Sequence, residues 1–372
     1  MMDDDSCTLL KDLRVMVHRE LGLCVECNRC INVCPVTKRE VSAGILNKAI
    51  CENRYNTDVK RFIYYCVQCQ RCVPVCPKHL HRDKMILLSR YHLRHEAPYP
   101  YRRYNLVRGS DLKPLARVLQ SLYIMFKRML NRDIAEYMDT SSSKRSSLLF
   151  YPGCYVYSPG TIRLTRRILD YINVDYTILG GLKVCCGLPH MLSGDFTRAE
   201  KQMHRLQEKI KMINPLVIIT GCNECLEVLS IIKKRYSMSY ESCSILEYLE
   251  RYHADKFPDV KIRDKVTIHD SCRNSRYYKH DDITRRSARR FSTINEMAHT
   301  GEMTLCCYHW NHDYDPFNHE RRRERLKDAK KHASTMICDC VTCFEEYKHV
   351  SDEVEVIDVL ELYAEAIDAA NK

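Results

Sequence analysis

Residues 23–35 read LCVECNRCINVCP, and residues 65–77 read YCVQCQRCVPVCP. Each stretch spaces four cysteines C-x2-C-x2-C-x3-C and closes on proline, and the second nearly copies the first. Four thiols within eleven residues, used twice, are too dense to be core filler. The first quarter of the chain is therefore organised around its sulfur atoms, and the rest has to be read with that in view.

The chain has 372 residues and 22 cysteines. A domain averages roughly 100–200 residues, so two or three units are expected. The opening MMDDDSCTLLKD is acidic where a secretory signal would be basic and then apolar. No apolar run approaches the roughly 20 residues that cross a bilayer. These features predict a cytoplasmic protein without a membrane span of its own, reaching a membrane only through a partner. A reducing compartment keeps thiols free, and a chain of this size does not need disulfide staples. Metal binding becomes the default reading. The formal charge of +11 counts every cysteine as neutral, whereas metal ligands are thiolates and would cancel much of that excess. Basic residues gather between Arg82 and Arg108, but no nucleic-acid recognition module accompanies them, so solvated or partner-facing charge is the expectation.

The spacing C-x2-C-x2-C-x3-C-P puts three thiolates on one tight loop, where they cap three irons of a cubane [4Fe–4S] cluster, while the fourth reaches the neighbouring cluster. This crossed scheme assigns Cys24, Cys27, Cys30 and Cys76 to one cluster. Cys66, Cys69, Cys72 and Cys34 go to the other. Tetrahedral zinc usually takes pairs of ligands from separate knuckles and does not explain three thiols in seven residues followed by cysteine-proline. Two clusters in one module make a one-electron wire.

Beyond this module APYPYRRYN reads as a turn-rich bridge, Leu112 to Tyr137 as helical, and TSSSKRSS as a polar linker with a boundary near Ser143. Helices are also expected at Val41–Asn53 and Arg82–His95. After the boundary, short apolar runs alternate with amphipathic segments, as in βαβ units with a mainly parallel sheet. Strands are expected at Ser147–Tyr151, Val174–Leu179, Leu216–Thr220, Val266–His269, Thr335–Cys338 and Val354–Ile357. Helices are expected at Ile162–Tyr171, Thr197–Ile213, Leu226–Arg235 and Glu320–His332. A second repeat lies here. Cys154, Cys185, Cys186, Cys222 and Cys225 are spaced C-x30-CC-x35-C-x2-C, and Cys272, Cys306, Cys307, Cys340 and Cys343 are spaced C-x33-CC-x32-C-x2-C. Five ligands are one too many for a cubane, and adjacent cysteines suit a more open iron assembly.

YPGC at Tyr151 to Cys154, VCCGLP at Val184 to Pro189, GCNEC at Gly221 to Cys225, HDSC at His269 to Cys272 and DCVTC at Asp339 to Cys343 resemble the CCG domain. That domain occurs in catalytic subunits of heterodisulfide reductases and in iron–sulfur subunits of glycolate, lactate and glycerol-3-phosphate dehydrogenases. With the dicluster module in front, the architecture is similar to the D subunit of membrane-linked heterodisulfide reductase of methanogenesis, over roughly residues 20 to 365. The resemblance implies an α/β fold with a helical ferredoxin-like 2x[4Fe–4S] module (1–96), a helical bridge and linker (97–146) and two Rossmann-like βαβ CCG half-domains (147–260 and 261–372). It also implies a noncubane [4Fe–4S] cluster on each five-cysteine set, facing one another across a disulfide substrate, so that these ten cysteines are catalytic. The implied function is disulfide reduction, for example of coenzyme M–coenzyme B, with electrons from a cytochrome b-type membrane protein or a flavoprotein. The alternative is an electron-transfer subunit of a quinone-linked flavin dehydrogenase. Those quinone-linked relatives often lack a cysteine in one repeat, and all ten are present here. The family glycine after the cysteine pair is Gly187 in the first repeat but Tyr308 in the second, which predicts a second site that is distorted or holds a different metal, and so one or two noncubane clusters in all.

Cys7, Cys51, Cys243 and Cys338 remain, the first three as idle or buried thiols and Cys338 as a competitor of Cys340. His190, His309, His312 and His319 flank the sites as candidate proton donors. Arg321 to Arg323 read as the wet face of a helix, and Arg273 or Arg276 as candidate anion contacts. The chain lacks a dinucleotide fingerprint, so a redox partner has to feed or drain it.

Overall fold

Residues 6–36, 40–96, 112–133, 144–154, 159–309 and 317–371 are described by a computed structural model. Short β-branched and leucine-rich runs build two sheets. Leu148–Gly153 (β1), Thr177–Gly180 (β2), Val217–Thr220 (β3) and Glu241–Ser244 (β4) lie in the order β2-β1-β3-β4. Lys265–His269 (β5), Thr293–Ile294 (β6), Thr335–Cys338 (β7) and Glu355–Asp358 (β8) lie in the order β6-β5-β7-β8. Every strand pair is parallel. Parallel strands need helical crossovers that cover both faces, which is why LLFYPG of β1 is buried at all six positions.

In each sheet the strand order reverses beside the first strand, between β1 and β3 and between β5 and β7. Crossovers there leave on opposite faces, opening a crevice at the carboxyl ends of the strands. Cys154 follows β1, Cys222 follows β3, Cys272 follows β5 and Cys340 follows β7. Topology thus delivers four of the ten candidate thiols to the two places where open sheets bind ligands. One shared core joins the halves, with Phe150 and Ile219 of the first sheet packed in the same cluster as Ile268, Ile337 and Ile357 of the second.

The helices in chain order are Thr8–Leu23 (α1), Arg29–Asn32 (α2), Ala43–Glu52 (α3), Thr57–Tyr65 (α4), Arg82–His92 (α5), Pro114–Leu130 (α6), Pro159–Tyr171 (α7), Leu188–Leu192 (α8), Phe196–Ile213 (α9), Asn223–Arg235 (α10), Ile245–Tyr252 (α11), Asp281–Phe291 (α12), Asn318–Lys330 (α13), Val341–Lys348 (α14) and Val359–Ala370 (α15). The six expected strands are present, with shifts of a few residues at their ends. The expected Leu112–Tyr137 helix is α6 where it is described, whereas the boundary at Ser143 and the bridge APYPYRRYN lie outside the described residues. The N-terminal module is helical. Its α3 and α4 start at side-chain caps, Ser42 Oγ accepting from Ile45 N at 3.2 Å and Asn56 Oδ1 from Val59 N at 2.9 Å.

Helix α5 is the strut between this module and the sheets. Its Arg90, 1% exposed, donates to the carbonyls of Ile63 (3.0 Å), Leu192 (2.9 Å) and Cys66. A fully engaged guanidinium is tolerated there because its donors meet carbonyl oxygens that would otherwise be buried alone. Gly194 is required by this contact: at φ +89° its missing Cβ would lie 2.5 Å from the Arg90 carbonyl oxygen.

At the far end of the second sheet Asp358 caps α15, accepting from Leu360 N at 2.9 Å, while Glu361 accepts from Asp358 N at 3.0 Å. Burial pushes the Asp358 carboxyl up to about 7, against the lowering by the Leu360 N–H. Because the folded-state value lies above the unfolded one, the native state is favoured by protonation, and stability is lost as pH rises from about 4 through 7. Asp358→Asn keeps the cap and removes the charge. Relative to the wild type it is expected to gain on the order of 2–4 kcal/mol at pH 8 and nothing near pH 4, read as the difference in thermal midpoints across that range.

Candidate functional site

Two loops of the helical module repeat one backbone. Glu26 and Asn28 have φ of +55° and +60°, and their counterparts Gln68 and Gln70 have +55° and +59°. Left-handed residues at alternate positions curl the chain so that successive N–H groups face one concavity, a backbone form that suits anionic clusters. Side chains fix each loop to the helices around it. Asn28 Oδ1 accepts from Ala43 N at 2.7 Å, Asn47 Nδ2 donates to Glu26 Oε1 at 3.0 Å, and Gln70 Nε2 donates to Asp83 Oδ2 at 3.0 Å.

Cysteines from the two loops stand close to one another in two groups. Cys24, Cys27, Cys30 and Cys76 line one cavity of about 380 Å³ including its open mouth, with Arg82 donating to Cys24 Sγ at 3.4 Å. Around Cys72 gather Cys69, Cys66 and Cys34; burial above all, then Asp83 and these thiols, push its own thiol well above the ordinary range. Cys34 thus stands with the second loop and Cys76 with the first. Removing Cys34 should therefore cost the iron held by Cys66, Cys69 and Cys72. In iron analysis Cys34→Ala combined with Cys69→Ala is expected to lose no more than either alone, about four irons. Combined with Cys27→Ala it is expected to lose about eight; the reverse pattern would refute the exchange.

The ten cysteines beyond the linker also converge as two sets. Thiol–thiol contacts centre each set on the second cysteine of its pair. Hydrogen bonds from Cys185 and Cys225 hold Cys186 down at about 6, and bonds from Cys306 and Cys343 hold Cys307 at about 6. Cys154 and Cys222 adjoin the first centre, and Cys272 adjoins the second. Cys340 contacts Cys343. All but Cys272 are buried.

Several observations fit these sets to iron and sulfide. Thiols gathered this closely can ionise together only beside compensating positive charge, which iron would supply. Gly153, at φ +71°, leaves room for Cys225, since a Cβ there would lie 2.6 Å from its Sγ. Beside Cys307 and Cys343, the buried hydroxyl of Tyr347 has no hydrogen-bond partner among the described residues, and a sulfide would accept from it.

Gly187 and Tyr308 share a left-handed backbone, at φ +93° and +60°. Helix α9 explains the difference in side chain. At Gly187 a Cβ would meet the Ala199 carbonyl oxygen at 2.7 Å, whereas Tyr308 is 3% exposed and packs in the core of the dicluster module with Ile31, Val36 and Phe62. The tyrosine is an anchor between the second set and that module.

The anchor lies at a junction. Cys69 of the second loop interacts with Cys272 and Cys306 of the second set. Arg276 clasps both sides, donating to the carbonyls of Cys69 (2.7 Å), Glu302 (2.7 Å) and Thr304. Arg273 pairs with the buried Glu227, which burial pushes up but Arg273 and Lys84 bring below its ordinary value, and its guanidinium lies 4.6 Å from the Tyr277 ring centre. Both arginines considered as anion contacts are thus engaged within the protein. The two sets are tied to each other by Asn223, whose Nδ2 donates to Ser271 Oγ at 3.0 Å, and by Tyr278, which donates to the Asn223 carbonyl at 3.1 Å.

Arg322 overturns the reading of Arg321 to Arg323 as a wet face. It is 1% exposed, donates to the Cys307 carbonyl at 2.7 Å and faces Glu346 at 2.7 Å. His309 Nδ1 lies 2.7 Å from the other oxygen of the same carboxylate. His190 is fully buried, His319 is exposed, and His312 lies outside the described residues. Cys7 and Cys243 are buried, each pushed up to about 12 mainly by burial, Cys51 is exposed, and Cys338 is buried at the end of β7. Sequence reading passed over Asp339. It accepts from Ser271 N at 2.9 Å and Asn274 Nδ2 at 2.7 Å, fixing the loop that carries Cys272, and its position beside Cys340 was the available signal.

Residues 20–80 match the 4Fe-4S dicluster domain, and residues 148–230 match the cysteine-rich CCG domain. Over 380 aligned positions the chain is 23% identical to an uncharacterized iron-sulfur protein of Methanocaldococcus jannaschii, covering 94% of this chain and 74% of that one. Among solved structures, a putative Asp/Glu racemase from Yersinia pestis (15% identity, 60% of this chain and 99% of that one) gives a TM-score of 0.30. The glutamate racemase RacE1 from Bacillus anthracis (11% identity, 62% and 82%) gives 0.29. Similarity that low carries no argument. The two domain matches and the cysteines establish an iron–sulfur electron-transfer protein that holds multiple [4Fe–4S] clusters. No helix among the described residues is long and apolar enough to cross a membrane.

Proposed function

We propose that the chain is the catalytic subunit of a heterodisulfide reductase-like complex, reducing a disulfide to two thiols with two electrons and two protons. The observation that supports this most is the junction of Cys69 with Cys272 and Cys306, clasped by Arg276. It joins a wire directly to a five-cysteine set. In this reading residues 1–96 receive electrons, 97–146 bridge, and 147–260 and 261–372 each carry one catalytic set. Cys24, Cys27, Cys30 and Cys76, and Cys66, Cys69, Cys72 and Cys34, are the proposed cubane ligands. Clusters bound to these sets, cubane in the quartets and noncubane in the quintets, supply one-electron transfer.

The chain's own residues do the rest. Tyr308 and Arg276 hold the junction at fixed length and exclude water from it. Asp339 positions Cys272. The Glu346 carboxylate, shared by His309 and Arg322, is the proposed proton reservoir at the second site. Cys27 is exposed at the mouth of the first quartet beside the exposed Leu23 and Val25, where a cytochrome b-type or flavoprotein partner is proposed to deliver electrons. The full complement of ten cysteines favours disulfide chemistry over the quinone-linked relay. The test is anaerobic turnover of the coenzyme M–coenzyme B disulfide with a reduced viologen. About two viologens oxidised per disulfide are expected, together with a new paramagnetic signal when thiol is added to oxidised protein. Quinone-linked turnover without either would reject the proposal.

A further inference from the structure

Helix α6 rests on the molecule by one narrow face. Its Gln120 is buried, and Tyr123 and Ile124 pack against Cys154, Leu182 and Cys185 of the first five-cysteine set. Those contacts fix the rotation of the helix and decide what points outward. Between Leu115 and Leu130 eight large apolar side chains are each 51–74% exposed. Leu115, Leu119, Leu122, Phe126 and Met129 follow at steps of three and four residues, so they form one continuous stripe along the whole helix. An apolar stripe of this length is rarely left facing water on an isolated soluble protein.

Charge identifies what covers it. Met125 and Met129, at one edge of the exposed apolar face, line the same cavity as Arg128 of α6, Arg132 just beyond it and Lys183. The helix contains no aspartate or glutamate. Asp133, the next acid along the chain, is held by Arg163 at 2.8 Å. An apolar face bordered by cations and free of acids is the pattern of a helix lying in the headgroup region of an anionic bilayer. At 17 residues, about 25 Å long, α6 is too short and too charged to span one.

We propose that α6 docks the protein on the surface of a membrane rich in anionic lipid, its apolar stripe entering the headgroup boundary and its arginine border contacting lipid phosphates. The stripe lies on the side of α6 opposite Ile124, facing away from the first cysteine set, and docking through it does not depend on the reaction the sets carry.

Vesicle flotation of the full, iron-loaded chain under anaerobic conditions tests it. Vesicles of phosphatidylcholine with phosphatidylglycerol are expected to carry the protein up. Vesicles of phosphatidylcholine alone are expected to bind at least ~10-fold less, and salt should weaken the anionic binding. Leu122→Glu with Phe126→Glu should abolish flotation while iron content stays unchanged. Arg128→Gln with Arg132→Gln should reduce the preference for anionic vesicles. Should the double glutamate variant lose its iron, Phe126→Trp decides instead: a blue shift and quenching by brominated lipid on anionic vesicles support the proposal, and their absence overturns it. Equal binding of the glutamate variant also overturns it. So does a wild-type dimer that the glutamates dissociate without any vesicle binding, because the stripe would then be covered by a second copy.

Discussion

Gly153→Ala is expected to strip the first five-cysteine set of about four irons per chain while leaving the dicluster module loaded. The position is strained twice over. Its φ of +71° disfavours any side chain, at a cost of about 1–2 kcal/mol, and the new Cβ would sit 2.6 Å from Cys225 Sγ, inside contact distance. A methionine or lysine tip could swing away from such a clash. Cys225 has only its single Cα–Cβ bond to turn about, and turning it carries the sulfur away from the other thiols of the set, so relieving the overlap is expected to withdraw a ligand. Gly221→Ala is the matched control, since its Cβ would meet Ile245 and Thr161 at 3.5 and 3.9 Å, ordinary contact. Iron and sulfide analysis with electron paramagnetic resonance distinguishes the two variants. Full iron content in Gly153→Ala would remove Cys225 from the ligand set.

Tyr308→Ala is the second large effect. The ring is buried in a core made mostly by the dicluster module, with Cys306 beside it, and the Arg321 guanidinium lies 5.3 Å from its centre. Truncating a buried aromatic costs about 3–5 kcal/mol, here at a junction between elements distant in sequence. Tyr308→Gly recovers about 1 kcal/mol by relieving the left-handed backbone but leaves the same cavity, and Tyr308→Phe keeps the packing. The expected order of thermal midpoints is wild type close to Phe, then Gly, then Ala. Stopped-flow reduction should show slowed transfer from the quartets to the second set in Gly and Ala. An alanine variant as stable and as fast as wild type would mean that the tyrosine anchors nothing.

Both residues show what sequence can carry. The dicluster module was legible because cysteine spacing is local, and the backbone repeats it at Glu26, Asn28, Gln68 and Gln70. The buried strands were legible from their apolar runs. Strand β4, ESCS, was not: it is a polar, half-exposed edge strand, and β6 is two residues long. Helix α12, DDITRRSARRF, hides three buried apolar residues among arginines, and a charge-rich string reads as surface. Arg322 failed for the same reason. Sequence reports the charge of RRR but not the carbonyl and carboxylate that wait for its middle member. Tyr308 was legible as a departure from glycine, yet its purpose lies in a partner surface some 240 residues earlier in the chain.

The seclusion of the quintet sulfurs also bears on how cofactor could be installed. Cys185, Cys186, Cys222 and Cys225 are at most 3% exposed, beneath α6 on one side and the N-terminal helices on the other. A scaffold protein handing over inorganic cofactor cannot reach through a closed shell. Loading is therefore expected to precede closure of this shell, and iron added to protein already folded without it is expected to enter the first set only as fast as the shell reopens.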